Sequence, residues 1–319
     1  MNRSQLLIAT TLSAGIVASA AQAQDAIPTR NHRSVALAFL RPVALGETLP
    51  NGEKNISWQL VIANELRRPQ FNLHEDSETW RLQYTYRYTD DKGVEYTFLV
   101  PVLSRGGGVL DGFLAWYHKT LLSDVNHARL LAPNGRSIVT VPGSKDFVSA
   151  SGIGDVTGAV GITKPEGTYR LWLKLPTGDA SRLLGSGNVD FAVSWEKQFN
   201  LLRKLDLHAQ AGLTVQGRPS ELPHGRGLVD NYTLGLVYSA NASEKYHFQW
   251  NSETSPTITG NRSTDAAHRV ITLGFTKVYS DSQFTVYFSE DGDFGLYDFQ
   301  GGAQIGPDVT FGFIWSQKK

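Results

Sequence analysis

Polar and apolar residues alternate along most of the chain, most regularly between residues 78 and 103. In the first half of this stretch, Trp80, Leu82 and Tyr84 share one face, and the residues between them are polar. The alternation resumes after Asp90-Asp91-Lys92-Gly93, which predicts a hairpin. Each strand has about ten residues, the length that crosses a bilayer at a tilt.

The same alternation recurs beyond residue 50 and predicts twelve strands. They centre on residues 56–62, 80–88, 94–102, 156–162, 169–175, 189–195, 205–215, 232–238, 246–250, 271–275, 284–288 and 309–315. Residues 130–141, with Asn134-Gly135 at their centre, are a further hairpin signal. This hairpin either extends the wall to fourteen strands or decorates a loop.

Connection lengths support an even number of strands. Short turns are predicted at 90–93, 164–167, 198–202, 241–243 and 278–281, and they alternate with longer loops at 65–77, 104–153, 176–187, 216–228, 254–267 and 291–307. Bacterial outer-membrane barrels have short periplasmic turns and longer outer loops. The prediction is therefore an all-β fold, a transmembrane antiparallel up-and-down β-barrel over residues 54–317.

Tryptophan and tyrosine are segregated along these strands, as in the interfacial girdles of membrane barrels. At the predicted inner ends they are Trp58, Tyr88, Trp195, Tyr238, Tyr246 and Trp315, and at the outer ends Trp80, Tyr232 and Trp250.

Three segments lie outside the predicted wall. Residues 1–23 combine a cationic start, an apolar stretch and an Ala-Gln-Ala cleavage site, which predicts a signal peptide. Residues 24–53 contain an apolar run at 35–40 and are predicted to stay periplasmic or to plug the lumen. The loop 104–153 is predicted to contain an amphipathic helix that packs on a rim or folds into the pore. Candidate gating residues on it are Leu110, Phe113, Trp116 and His118.

Composition narrows the function classes. The 30 basic and 30 acidic residues cancel, so no electrostatic signature of a nucleic-acid partner is present. The absence of cysteine excludes a disulfide framework, a thiolate metal site and a cysteine nucleophile. After the signal peptide, no run approaches the roughly 18 apolar residues of a transmembrane helix.

Charged residues of both signs fall on the predicted inner face. They are Arg81, Arg87, Glu95, Arg170, Lys174, Asp190, Glu196, Asp206, His208, Lys245 and His247. One hypothesis is a water-filled path that filters small polar solutes. The other is that these charges pair across a narrow interior and brace a plugged, structural barrel.

Enzymatic and metal-binding alternatives have weaker support in the sequence. His208 and His247 could each find a hydroxyl, as in a lipid-modifying enzyme, but no serine-hydrolase elbow, zinc motif or phosphate-binding loop is present. Calcium at Asp155, Asp179 and Asp190 is less favoured than turn capping, because the spacing is unlike that of an EF-hand. No cofactor or metal is predicted.

Several motifs resemble a Gram-negative family catalogued as domain of unknown function 3187. They are Gly108-Val109-Leu110-Asp111-Gly112-Phe113, Trp116-Tyr117-His118, Ser151-Gly152-Ile153-Gly154-Asp155, Leu175-Pro176-Thr177-Gly178-Asp179 and Gly185-Ser186-Gly187-Asn188-Val189-Asp190, with Pro28-Thr29-Arg30-Asn31 at the start. The fourth motif is also similar to outer-membrane transporters grouped with phenol-degradation pathways. The resemblance implies an outer-membrane barrel without an established activity. Its expected partners are outer-membrane lipids, the barrel-assembly machinery and a small solute.

Overall fold

A computed structural model describes residues 26–70, 73–120, 134–260, 265–291, 307 and 309–319. The strands are β1 (Lys54–Gln70), β2 (Leu73–Thr89), β3 (Val94–Gly106), β4 (Ile138–Thr140), β5 (Asp146–Phe147), β6 (Ala150–Ile153), β7 (Thr157–Lys164), β8 (Gly167–Lys174), β9 (Asp190–Leu202), β10 (Leu205–Val215), β11 (Leu228–Asn241), β12 (Glu244–Glu253), β13 (His268–Val278), β14 (Ser282–Asp291) and β15 (Val309–Lys318). The helices are α1 (Ser34–Leu37) and α2 (Asp111–Thr120), with a 3-10 turn at Ala180–Arg182. No described helix is long and apolar enough to cross a membrane. The predicted signal peptide lies outside the described residues.

Twelve strands form a closed antiparallel ring, which confirms the predicted barrel. The ring follows chain order from β1 to β3 and from β7 to β15, and it closes where Trp58 of β1 lies opposite Trp315 of β15. The strands β4, β5 and β6 pair outside this ring, at the ends of β2 and β3. The signal around Asn134-Gly135 therefore decorates a loop rather than extending the wall to fourteen strands.

The alternation places apolar side chains on the outside and polar ones inside. On β11 the side chains of Tyr232, Leu234 and Leu236 are exposed, whereas those of Asn231 and Thr233 are buried. Several predicted girdle residues are also exposed on the outer face: Trp58, Trp80, Tyr232, Tyr238, Tyr246 and Trp315. Such a continuous apolar surface is far larger than a soluble monomer exposes.

Two predicted connections are wrong. Residues 65–70 and 73–77 are not part of a loop, because β1 and β2 continue through them, with Glu65 opposite Ser77. Asn64 and Glu78, which border these residues, are polar and face outward. They do not mark a loop, because the polypeptide after β3 covers them. Residues 198–202 are likewise not a turn, because β9 runs to Leu202. We call the end with the short turns the turn end and the opposite end the loop end.

The N-terminal segment, residues 26–49, lies inside the ring. Its backbone contacts side chains on strands that face one another: Ile27 N donates to Gln249 Oε1 on β12 at 3.1 Å, Leu40 N to Asp190 Oδ2 on β9 at 2.8 Å, and Leu49 N to Glu95 Oε2 on β3 at 3.0 Å. The segment reaches the loop end at α1 and returns to the turn end before Lys54, where β1 begins. The division of the chain into a signal peptide, this segment and a barrel domain stays a prediction.

Helix α2 packs against the outer face of the wall near the loop end. The ring of Phe113 lies 5.9 Å from that of Phe311, which shares the outward face of β15 with Trp315. The carboxylate of Glu78 accepts hydrogen bonds from Val109 N and Leu110 N, just before the helix. The predicted helix is therefore present, and it corresponds to the rim alternative rather than to the pore.

Candidate functional site: the barrel interior

At the turn end, inward-facing charges of both signs pair between neighbouring and next-neighbouring strands of the wall. Arg87 Nη2 lies 2.8 Å from Glu95 Oε2, and Arg170 Nη2 lies 3.0 Å from Glu95 Oε1. Arg170 Nη1 also contacts Glu196 Oε1, and His208 Nε2 lies 3.3 Å from Glu196 Oε2. All five side chains are buried. In an interior of low dielectric, charges are stable mainly in such paired arrangements.

Gly161 leaves the space through which the side chain of Arg170 reaches Glu95. Gly161 on β7 lies in register between Glu95 on β3 and Arg170 on β8. A Cβ atom at Gly161 would approach Arg170 Cγ to 2.9 Å, so only glycine leaves the path that the arginine side chain takes. The strand register therefore determines which charges meet.

The same network binds the backbone of the N-terminal segment. Glu196 Oε2 accepts from Leu45 N at 3.0 Å and from Gly46 N at 2.9 Å. Arg87 Nη1 donates to Leu45 O at 2.9 Å, and Arg170 Nη2 donates to Gly46 O at 2.8 Å. The wall thus satisfies backbone groups that strand pairing would otherwise satisfy.

A second cluster lies towards the loop end. Lys174 Nζ donates to Asp155 Oδ2 at 2.5 Å and to Ser186 Oγ at 2.6 Å, and it lies 3.4 Å from Asp190 Oδ2. Asp155 also accepts from Gly178 N at 2.9 Å and Ser186 N at 3.0 Å. These two acidic residues therefore act as loop anchors, consistent with the capping hypothesis.

The other predicted lumen residues also lie inside the wall. Arg81 and His247 are buried, and His247 Nε2 lies 2.8 Å from Thr276 Oγ1. Asp206 and Lys245 are half-buried near the turn end.

The candidate gating residues lie elsewhere. Leu110 is half-buried, and Phe113 and Trp116 are exposed on and around α2, on the outer face. The side chain of His118 lies outside the described part of the structure.

Sequence reasoning missed three inward carboxylates that bind the N-terminal segment. Glu65 Oε1 accepts from Ser34 N at 2.5 Å, and Glu253 Oε1 accepts from Asn31 N at 2.7 Å. Glu75 pairs with Arg33 at 2.6 Å. A signal was available for all three, because Glu65, Glu75 and Glu253 each continue the inward-facing parity of their strands.

Inward-facing glycines leave room for the segment. A Cβ atom at Gly274 on β13 would lie 2.5 Å from Ile27 Cδ1. One at Gly212 on β10 would meet Asn231 Oδ1 of the neighbouring strand first and would also lie 3.1 Å from Pro42 Cγ of the segment. Neither glycine has the positive φ that would otherwise explain its presence. The wall is therefore shaped to accept the segment.

His32 is a buried titratable group of the segment, outside the strands of the wall. Neither ring nitrogen has a hydrogen-bond partner among the described residues. Burial, together with the positive charges of Arg81 and Arg30, lowers the pKa of His32 well below its ordinary value of 6.5. The docked segment therefore holds a neutral imidazole.

Acidification is expected to weaken the part of docking that depends on His32. An undocked His32 regains its ordinary pKa and binds a proton first, so the docked state is fully favoured above about pH 6.5 and loses about 1.4 kcal/mol per pH unit below it. The measurement is the rate at which a thiol reagent labels a Ser34→Cys variant between about pH 7 and pH 5, corrected by the rate for the unfolded protein. In a variant that combines Ser34→Cys with His32→Gln, the increase in labelling rate on acidification should disappear. An equal increase in both proteins would contradict this assignment.

No candidate metal site is present among the described residues of the interior. Within the described ranges, no three histidine, aspartate or glutamate side chains converge as a metal site would require. His247 contacts a threonine hydroxyl that itself lies 2.7 Å from Thr285 Oγ1, so it belongs to a hydrogen-bond chain along the wall.

The fold is similar to that of solved membrane barrels. The COG4313 outer membrane channel from Pseudomonas putida F1 shares 12% identity over 88% of this chain and 100% of its own, with a TM-score of 0.56. The NanC porin shares 7% identity over 83% of this chain and 98% of its own, with a TM-score of 0.44. The P. putida toluene transporter TodX shares 11% identity over 85% of this chain and 90% of its own, with a TM-score of 0.41. The first likeness shows a common fold.

Sequence comparison gives a family but no characterised relative. Residues 7–291 match a family model described as "Protein of unknown function (DUF3187)". No curated protein matches the chain.

Proposed function

The chain belongs to the DUF3187 family, and we propose that it is a passive outer-membrane channel for small polar solutes whose N-terminal segment, residues 26–49, is the gate. The observation that carries the proposal is how this segment is bound. Carboxylate side chains of the wall, rather than a neighbouring strand, accept the backbone N–H groups of the segment at Asn31, Ser34, Leu40, Leu45 and Leu49. The segment is not a strand of the sheet, so it can leave the interior without breaking the backbone pairing of the wall.

Two further features support a passage rather than a solid brace. A cavity opens at the turn end, between the segment at Leu45 and Pro50 and the wall at Arg87 and Tyr279. The outer surface is apolar with exposed tryptophan and tyrosine at both ends, as lipid contact requires. The location we propose is the outer membrane, with its lipids as the surrounding partner.

Two cysteine pairs test whether the segment moves. Ser34 Oγ lies 3.2 Å from Thr79 Oγ1 at the loop end, and Thr48 Oγ1 lies 3.0 Å from Thr163 Oγ1 at the turn end. Because the natural chain has no cysteine, each double variant would contain a single disulfide. The first disulfide fixes the middle of the segment, and the second fixes only the part next to β1.

Single-channel recording in planar bilayers is the measurement. Oxidised Ser34→Cys/Thr79→Cys protein is expected to be closed, and a reductant should restore the current of the wild type. Oxidised Thr48→Cys/Thr163→Cys protein and the single variants are the controls and should keep most of the current. Unchanged current through the first disulfide would show that solutes bypass the segment. The absence of current in every protein would leave the plugged structural barrel.

Shortening the loop that contains α2 separates the two candidate gates. Since Phe113 and Trp116 lie on the outside of the wall, removal of α2 should leave the conductance nearly unchanged. A large increase in current would instead assign the gate to residues 104–153.

A further inference from the structure

A second cavity lies between the N-terminal segment and the wall at β2, β3 and β8. Arg30 and Arg41 of the segment line it, together with Arg81 and Lys174 of the wall. The acidic residue in its lining is Asp155. The cavity therefore carries an excess of positive charge.

Two of these cations have carboxylate partners and two do not. Lys174 lies 2.5 Å from Asp155, and Arg41 lies 3.7 Å from Glu253. Among the described residues, no carboxylate lies within ion-pair distance of Arg30 or Arg81, and both side chains are at least nine-tenths buried. Each donates instead to neutral acceptors, and the charges of Glu253 and Asp190 act on Arg30 from beyond ion-pair distance.

The neutral contacts leave hydrogen-bonding capacity on both guanidinium groups. Arg30 Nη2 donates to Ala36 O at 2.6 Å and to Phe39 O at 3.0 Å, while its Nε has no partner in the described part of the chain. Arg81 donates to the side-chain oxygen of Gln83. A guanidinium has five donors, and a buried charge is costly without an opposite charge nearby. An anion between the two arginines would supply that charge.

Apolar side chains also line the cavity, beside the polar Gln83 and Thr157. Leu99 and Leu103 face it from β3, and Trp172 faces it from β8. Trp172 Nε1 donates to Ser194 Oγ at 2.8 Å, so the polar atom of the indole is already satisfied by the wall. Leu99 and Trp172 already pack against Leu40 and Val43 of the segment, so only the part of their surface that faces the cavity is open to a ligand. The hydrocarbon part of an organic anion would cover that part, whereas an inorganic anion would not.

We propose that this cavity binds a small organic anion, with its carboxylate between Arg30 and Arg81 and its apolar part against Leu99, Leu103 and Trp172. The inference rests on the proposed channel function and names the substrate class of that channel. One half of the site belongs to the segment and the other to the wall, so the site is complete only while the segment is docked.

Calorimetric titration of the detergent-solubilised mature protein with benzoate tests the site. Arg30→Gln and Arg81→Gln are each expected to weaken benzoate binding about tenfold, since each removes a charge-assisted contact. The matched control is Arg203→Gln, at an exposed position between β9 and β10. Equal binding of benzoate by all four proteins would overturn the proposal, as would equal affinity for benzyl alcohol or for chloride.

Conservative variants keep the test valid if a glutamine variant does not fold. Arg30→Lys and Arg81→Lys keep the charge but lose the planar fork, so their affinities should fall between those of the wild type and the glutamine variants. Heat-dependent migration on a denaturing gel reports whether each barrel has folded. A folded lysine variant with wild-type affinity at both positions would also count against a guanidinium site.

Binding and conduction can fail separately. Oxidised Ser34→Cys/Thr79→Cys protein holds the segment docked and should bind benzoate like the wild type. Arginine-dependent binding without any current would overturn the channel and keep the site. Current without arginine-dependent binding would overturn the site and keep the channel.

Discussion

Replacing Arg170 by glutamine is expected to lower the free energy of unfolding by about 3–5 kcal/mol, because it leaves a buried carboxylate without its cation. Arg170 contacts both Glu95 and Glu196, and its side chain is fully buried. Glu95 keeps Arg87 as a partner, whereas Glu196 is left with His208. A single imidazole contact at 3.3 Å does not replace the permanently charged, planar guanidinium of the arginine.

A double-mutant cycle checks this cause. Urea unfolding of the barrel in lipid vesicles, followed by tryptophan fluorescence, gives the free energy of each protein. Glu196→Gln should recover part of the loss in the presence of Arg170→Gln, because the uncompensated charge is removed. Additive effects of the two substitutions would contradict the pairing, and the exposed Arg203→Gln variant should stay within about 0.5 kcal/mol of the wild type.

The wall of this barrel was predictable because its physical requirement is periodic. A strand between an apolar and a polar environment must alternate, and all twelve ring strands carry that pattern. The alternation gave wrong strand ends where polypeptide outside the ring covers the outer face of β1 and β2. Asn64 and Glu78 are polar and face outward, and the polypeptide around α2 covers them. A local pattern gives no information about such a distant contact.

The position of the N-terminal segment could not be derived in the same way. Its contacts join its backbone to side chains such as Glu196 and Asp190, and backbone donors are the same at every residue. The charges were assigned to the interior from parity alone, but their partners depend on register. The contact of Arg170 with Glu95 passes over Gly161 on the strand between them. A pattern read along each strand separately does not reveal a contact that skips a strand.

Deleting residues 26–49 is expected to convert the protein into a permanently open pore. The deletion removes the group that fills the interior, while the twelve strands keep their backbone pairing and closure. Planar-bilayer recording should show large, long-lasting current steps in place of small or brief ones. Heat-dependent gel migration confirms that the deleted protein has folded, and the α2-loop deletion is the matched control for shortening the chain. A folded deletion variant with wild-type current would exclude the segment as the gate.

The open pore is also expected to prefer cations. The deleted segment contributes Arg30, Arg33 and Arg41 against the one acidic residue Glu47, so its removal takes away two net positive charges. It also leaves the wall carboxylates Glu65, Glu75 and Glu253 without their segment partners. Rings of carboxylates select cations in a narrow pore. The reversal potential in a potassium chloride gradient should therefore have the sign of cation selectivity, and it should shift towards zero when these three carboxylates are changed to glutamine. An anion-selective deleted pore would mean that wall cations such as Arg81 control the passage even without the segment.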